Sequence, residues 1–163
     1  MNTYLNISHI EYNNLSFYIS NLPKKNQAND FFSFLKKNNI NYVVRVCYES
    51  TFPDSLYLDN SIQIFNLPYA DGTIPDENLV YQWLKIYNNQ KGNVLIHCMC
   101  GLGRAPLLAT IIIIEETEEN FYTIIDLIRN SVKNAFNKKQ LIFLNKYYNS
   151  INDEKINCNC YKF

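Results

Sequence analysis

Cys98 and Arg104 bracket a short loop, His97-Cys98-Met99-Cys100-Gly101-Leu102-Gly103-Arg104, with a nucleophile at one end and a permanent cation at the other. Gly101 and Gly103 let such a loop curl tightly, so that successive backbone N–H groups converge on one point and, with a following helix N-terminus, form an anion cradle. A dianionic phosphoryl group fits it. A free cysteine titrates near 8.5, which leaves only about 3% thiolate at pH 7. Converging N–H dipoles, a helix end and the Arg104 cation all favour the anion. The planar guanidinium can hold two phosphoryl oxygens and offset charge in the transition state, which lysine cannot do bidentately. Cys98 is thus the candidate nucleophile and Arg104 the candidate clamp. Met99, Cys100, Gly101, Leu102 and Gly103 supply the phosphate-binding backbone, and His97 is expected to orient the loop through hydrogen bonds. Two other readings compete. His97, Cys98 and Cys100 could be metal ligands, but they are tightly bunched and lack a second ordered pair, so no metal or other cofactor is expected. A sulfur-transfer enzyme also uses a cysteine in a loop of this kind, although the two glycines and Arg104 suit phosphate better.

Positioning that loop requires a strand before it and a helix after it. Asn93-Val94-Leu95-Ile96-His97 reads as a buried strand, and the chain from Arg104 onward reads as a helix whose Leu107–Ile114 run is apolar enough for a core. Leu15–Ile19 alternates as a strand and ends at Asn21-Leu22-Pro23, while Tyr42–Cys47 and Ser61–Phe65 add two more strands. Helices are expected over Asp30–Asn39 with Asn29 as cap, from Pro75-Asp76 to Asn89, over Asn120–Lys133 and over Asn137–Asn149. Strands alternating with helices imply an α/β fold, a central, mainly parallel sheet flanked by helices. The expected organisation is one catalytic domain over residues 1–151 and a mobile polar tail over 152–163.

Composition narrows the function classes. The 163-residue chain carries 15 Lys plus Arg against 15 Asp plus Glu, so it lacks the positive field of a nucleic-acid binder. Its five cysteines are odd in number and unevenly spaced, which fits cytosolic thiols better than a secreted disulfide scaffold. The Leu107–Ile114 run is cut off by Glu115 and Glu116, well short of the roughly 18 apolar residues a membrane span needs.

His97-Cys98, five residues, then Arg104 resembles the motif of cysteine-based protein tyrosine phosphatases. Gly101-Leu102-Gly103-Arg104-Ala105-Pro106, with Val44-Arg45-Val46-Cys47, Tyr69-Ala70-Asp71-Gly72 and Ala135-Phe136-Asn137-Lys138-Lys139-Gln140-Leu141, is similar to the phosphatase of regenerating liver (type IVA) subfamily. The resemblance spans about residues 10–150 and implies a dual-specificity-phosphatase-like fold. It also implies hydrolysis of phosphate monoesters through a phosphocysteine intermediate. It makes Asp71 the general acid that protonates the leaving oxygen, a contribution of roughly a hundredfold to ten-thousandfold. From the residues alone, Asp71 before Gly72 could equally be a turn residue. Ala105 stands where many tyrosine phosphatases carry the hydroxyl that helps the cysteine leave, so slow turnover is expected.

The resemblance further implies that Cys47 is a redox partner forming a reversible disulfide with Cys98, the competing reading being ordinary strand packing. Cys100 departs from the small apolar residue usual there; as a resolving thiol it would have poor geometry within so tight a loop. Cys160 sits where the subfamily carries a prenylation box, although Lys162 replaces an aliphatic residue and no basic cluster precedes it. One lipid chain binds membranes only marginally, so stable attachment would need a second signal, for which Cys158 is available. The expected location is therefore cytoplasmic, at the inner face of membranes through this lipidation. Substrates would be phosphoproteins or phosphoinositides. The alternative is a binding regulator that grips a membrane partner such as a magnesium transporter, which members of the subfamily bind.

Overall fold

The computed structural model describes residues 5–90 and 92–160, except for the side chains of residues 154 and 156–160. Five strands, β1 (Ile7–Tyr12), β2 (Leu15–Asn21), β3 (Ile40–Arg45), β4 (Gln63–Asn66) and β5 (Asn93–Cys98), form one sheet in the order β1-β2-β5-β3-β4. Only β1 runs antiparallel to its neighbour; the other pairs are parallel. The helices are α1 (Ala28–Lys37), α2 (Asp54–Asp59), α3 (Glu77–Asn89), α4 (Arg104–Glu116), α5 (Phe121–Ser131) and α6 (Lys138–Cys160).

Side-chain alternation along the central strands divides the core in two. Val94 and Ile96 of β5, with Tyr42 and Val44 of β3, join the cluster built on α4. Leu95 and Val43 point to the opposite face and join Phe31, Phe32, Leu35, Phe52 and Tyr57 beneath α1 and α2. Helix α4 is buried from Arg104 to Ile114 and packs against β2, β5, α3, α5 and α6. That enclosure is what its apolar sequence requires, because a helix apolar all round has no face to give to water. Trp83 of α3 anchors this layer, fully buried with its indole N–H donating to the Leu108 carbonyl at 2.8 Å.

The expected parallel sheet is present, with several corrections. Strand β1 and helix α2 were not read from the sequence. Asn29 does not cap α1 but lies inside it: a 3₁₀ turn over Lys25–Gln27 leads straight in, and the Gln27 Oε1 accepts from the Lys24 N–H at 2.8 Å. Strand β3 stops at Arg45, so Val46 and Cys47 belong to the following loop. The polar segment from residue 152 is helical through Cys160 rather than a patternless tail. The reason lies in Lys155, whose Nζ donates to the carbonyls of Ile114, Glu115 and Thr117 at 3.4, 3.1 and 3.0 Å and so ties the late part of α6 to the end of α4.

Candidate active site

Strand β5 ends at Cys98 and α4 begins at Arg104, so the intervening loop lies at the carboxyl edge of the sheet, where open α/β sheets bind ligands. Gly101 has φ +73°, and a Cβ there would lie 2.9 Å from the Ser20 carbonyl carbon; glycine is required both by conformation and by space. The resulting curl brings the Gly101 N–H to 3.2 Å from the Cys98 Sγ, to which it donates. Leu22 N–H donates to the Met99 carbonyl at 3.2 Å, fastening the loop to the end of β2. No side chain caps the first turn of α4, so its N–H groups face the loop without a protein acceptor from that source. Cys98 is buried at 2% exposure, while Met99, Cys100 and Leu102 are exposed.

Arg104 is 2% exposed and held from below. Its Nη1 donates to the Tyr69 carbonyl at 2.9 Å and to the Val46 carbonyl at 3.4 Å. Its Nη2 lies 3.1 Å from the Asp71 Oδ1, and its Nε has no hydrogen-bond partner among the described residues. The edge formed by Nε and Nη2 is the one a guanidinium uses for bidentate binding. Among the described residues that edge is met only at Nη2, by an exposed carboxylate that an arriving phosphoryl group can replace. Cys98, Asp71, Gly103 and Gln140 are among the residues lining a cavity of about 290 Å³ over this loop.

Asp71 sits at a tight turn, Ala70–Thr73, closed by Thr73 N–H to the Ala70 carbonyl at 3.2 Å and followed by Gly72 at φ +68°. Its side chain is 75% exposed. The turn reading of the sequence is met, and the turn projects the Asp71 carboxylate onto Arg104.

His97 is held through its backbone and not its ring. Neither ring nitrogen has a hydrogen-bond partner among the described residues; the residue contributes its backbone carbonyl, which accepts from Val46 N–H at 3.0 Å. Strand alternation explains this, because His97 shares the face of Leu95, and its register partner on β3 is Arg45. Burial, with the Arg45 cation second, pushes the imidazole down to about 3.

Cys47 is buried just beyond β3, and it and Cys98 are both free thiols. Burial pushes its thiol up to about 11; Arg104 acts against this and Cys98 reinforces it, so the two cysteines lie within electrostatic reach. Among the described residues no cluster of His, Cys, Asp or Glu could hold a metal ion, and no helix is long and apolar enough to cross a membrane. The side chains of Cys158 and Cys160 lie outside the described residues.

Sequence reasoning missed the Tyr69 carbonyl beneath Arg104, for which a sequence carries no signal. It also passed over Asn137 and Gln140, which reach the Asp71 turn; their three-residue spacing before a helix is a legible capping signal.

The chain matches the family model described as dual specificity phosphatase, catalytic domain, over residues 22–150. It is 37% identical over 143 residues to PRL-1 phosphatase of Drosophila melanogaster, covering 85% of this chain and 80% of that protein. Protein tyrosine phosphatase type IVA 2 of Mus musculus is 34% identical over 143 residues, covering 85% of this chain and 84% of that protein. Among solved structures, a putative protein tyrosine phosphatase from Leishmania major superposes with a TM-score of 0.78 at 25% identity, covering 87% of this chain and 98% of that one.

Proposed function

The chain belongs to the dual specificity phosphatase family, as one of its type IVA protein tyrosine phosphatases, and we propose that Cys98, Arg104 and Asp71 carry its reaction. The carrying observation is the loop itself: a buried cysteine and a buried arginine close one glycine-curled turn, and the arginine's open edge meets an exposed carboxylate at 3.1 Å. A phosphate ester entering the cradle displaces the Asp71 carboxyl group from Arg104. The Cys98 thiolate attacks phosphorus, the S–P bond forms, the P–O bond breaks, and Asp71, having taken a proton from solvent once released from Arg104, gives it to the departing oxygen. Water then attacks the phosphocysteine, Asp71 takes the proton from that water, and the S–P bond breaks to return the thiolate. Arg104 and the N–H groups of the loop hold the equatorial oxygens through both steps.

Phosphate release by wild type, Cys98→Ser and Asp71→Ala tests these roles. Cys98→Ser should be inactive, and Asp71→Ala should lose roughly a hundredfold or more on unactivated esters. Activity retained by Cys98→Ser would end the assignment.

The substrates are phosphorylated proteins or phosphoinositides, and exposed Leu102 supplies an apolar wall at the rim that suits either. Oxidation regulates the site: peroxide converts the Cys98 thiolate to a sulfenic acid, and the Cys47 thiol displaces its oxygen as water to form a disulfide. The elevated Cys47 thiol makes that resolving step slow at neutral pH and faster as pH rises. Protein oxidised with peroxide should recover activity with reductant, and Cys47→Ser should not. Cys160, with Cys158 as a second signal, is proposed as the lipid attachment that holds the enzyme at the cytoplasmic face of membranes. Intact mass of protein from its native cell checks this, since an unmodified chain would refute it. The resemblance alone supports a magnesium transporter as membrane partner.

A further inference from the structure

The chemistry assigned to Asp71 depends on a turn that is itself exposed, and the structure shows what fixes its position. The backbone before Asp71 is pinned by Arg104, which donates to the Tyr69 carbonyl at 2.9 Å. The backbone after it is pinned from another element. Asn137 Nδ2 donates to the Gly72 carbonyl at 3.0 Å, and Gln140 Nε2 donates to the Thr73 carbonyl at 3.2 Å.

Both side chains have their amide oxygens committed elsewhere. Gln140 N–H donates to the Asn137 Oδ1 at 2.9 Å, and Asn137 N–H donates to the Gln140 Oε1 at 3.1 Å. This reciprocal pair is a capping box at the start of α6. Because each oxygen is consumed by the cap, each NH₂ group is forced toward the acid turn; rotating either amide would break two bonds at once. The box is also anchored to the phosphate loop. Phe136 N–H donates to the Leu102 carbonyl at 3.0 Å, and a Cβ on Gly103 would fall 2.9 Å from the Gln140 Nε2, so Gln140 lies directly against the loop backbone. Gln140 is 1% exposed, which fixes its rotamer by packing.

We propose that Asn137 and Gln140 are positioning residues that latch the Asp71 turn to the phosphate loop and set the acid's distance from the leaving oxygen. This rests on the reading of Asp71 as the general acid. Both residues border the cavity, but their NH₂ groups are committed to the Gly72 and Thr73 carbonyls and their amide oxygens to the cap. Their effect passes through the Gly72 and Thr73 carbonyls, one and two residues past the acid, and a displacement of about 1 Å there can cost roughly a hundredfold in a step that needs alignment.

The latch can be separated from the cap by Asn137→Ser, because serine at this position still accepts from the Gln140 N–H but has no NH₂ for Gly72. The measurement is the rate of phosphocysteine formation across aryl phosphates whose phenols range from activated to poor leaving groups. Poor leaving groups need the acid and activated ones do not. Asn137→Ser should lose roughly tenfold on phenyl phosphate and less than about twofold on an activated nitrophenyl ester, part of the hundredfold or more assigned to Asp71 itself. In an Asp71→Ala background the same substitution should add no further loss on phenyl phosphate. Inhibition by orthovanadate, which reads the cradle and Arg104, should be unchanged. A loss equal across all leaving groups, no loss at all, or a full additional loss without Asp71 would overturn the latch while leaving the acid in place. If Asp71→Ala itself shows no dependence on the leaving group, the acid assignment falls and the latch falls with it.

Discussion

The two ends of the Cys98–Arg104 loop are buried for different reasons. Cys98 is enclosed because it terminates a central strand, whereas Arg104 is enclosed because three carbonyl or carboxylate groups meet its guanidinium. Burying a guanidinium is costly unless its protons are bonded. Two backbone carbonyls, from Tyr69 and Val46, meet that requirement for Nη1 and leave the Nε–Nη2 edge toward the cavity. Ala105 is the next residue along, fully buried at the first turn of α4. It has no hydroxyl to stabilise the departing thiolate when the phosphocysteine is hydrolysed. Wild type should therefore show a burst of one leaving group per site followed by a slow steady state. Ala105→Ser should raise the steady-state rate several-fold with little change in the burst rate. A variant that accelerates the burst instead would place the effect on phosphorylation of Cys98 rather than on its release.

At the scale of elements, legibility followed burial. Strands β2, β3 and β5 and helices α3, α4 and α5 were readable because their apolar runs pack on both faces of the sheet or along one face of a helix. Strand β1 was missed because only Ile10 of its six residues is buried, so its alternation is weak. The Asn13-Asn14 loop, with Asn13 at φ +54°, was its better signal, since two-residue hairpin turns favour such residues. Helix α2 was missed although Pro53-Asp54 repeats the Pro75-Asp76 signature that located α3. Its Asp54 then pairs with Arg45 at 3.0 Å and accepts from Asn66 Nδ2 at 3.1 Å, uniting β3, β4 and α2. Spacing and glycines exposed the Cys98–Arg104 loop, but the arrangement of the Asp71 turn over Arg104 comes from contacts far apart in the chain. The late part of α6 was unreadable because polar residues carry it and, among its described side chains, a lysine ties it to α4. Lys155 donates to three carbonyls at the end of α4, orphan acceptors that a cation suits. Lys155→Met should destabilise the fold by about 1–2 kcal/mol in denaturant titration and speed proteolysis beyond residue 150, with kcat unchanged. Unchanged stability would show that the segment contributes nothing to the domain.

At the scale of the whole molecule, the buried His97 couples folding to pH. In the unfolded chain an imidazole titrates near 6.5, and in the folded protein burial holds it down to about 3. Between those values the unfolded state binds a proton that the folded state does not, so stability rises with pH across the window and falls as pH drops through it. The contribution is fully present above 6.5 and is lost progressively toward 3. From pH 7.5 to 5 one such group removes about 2 kcal/mol, a range chosen to stay above the ordinary carboxylate titrations. His97 sits at the register pair with Arg45, whose cation opposes imidazole protonation but is itself balanced by Asp54. The loss therefore belongs chiefly to desolvation, and screening by salt should change it little. Denaturant midpoints at pH 5 and 7.5 in low and high salt measure it directly. His97→Leu, which keeps the apolar packing and removes the proton, should flatten the profile across this range. If the variant retains the wild-type slope, some other group carries the acid sensitivity and the neutral buried imidazole does not.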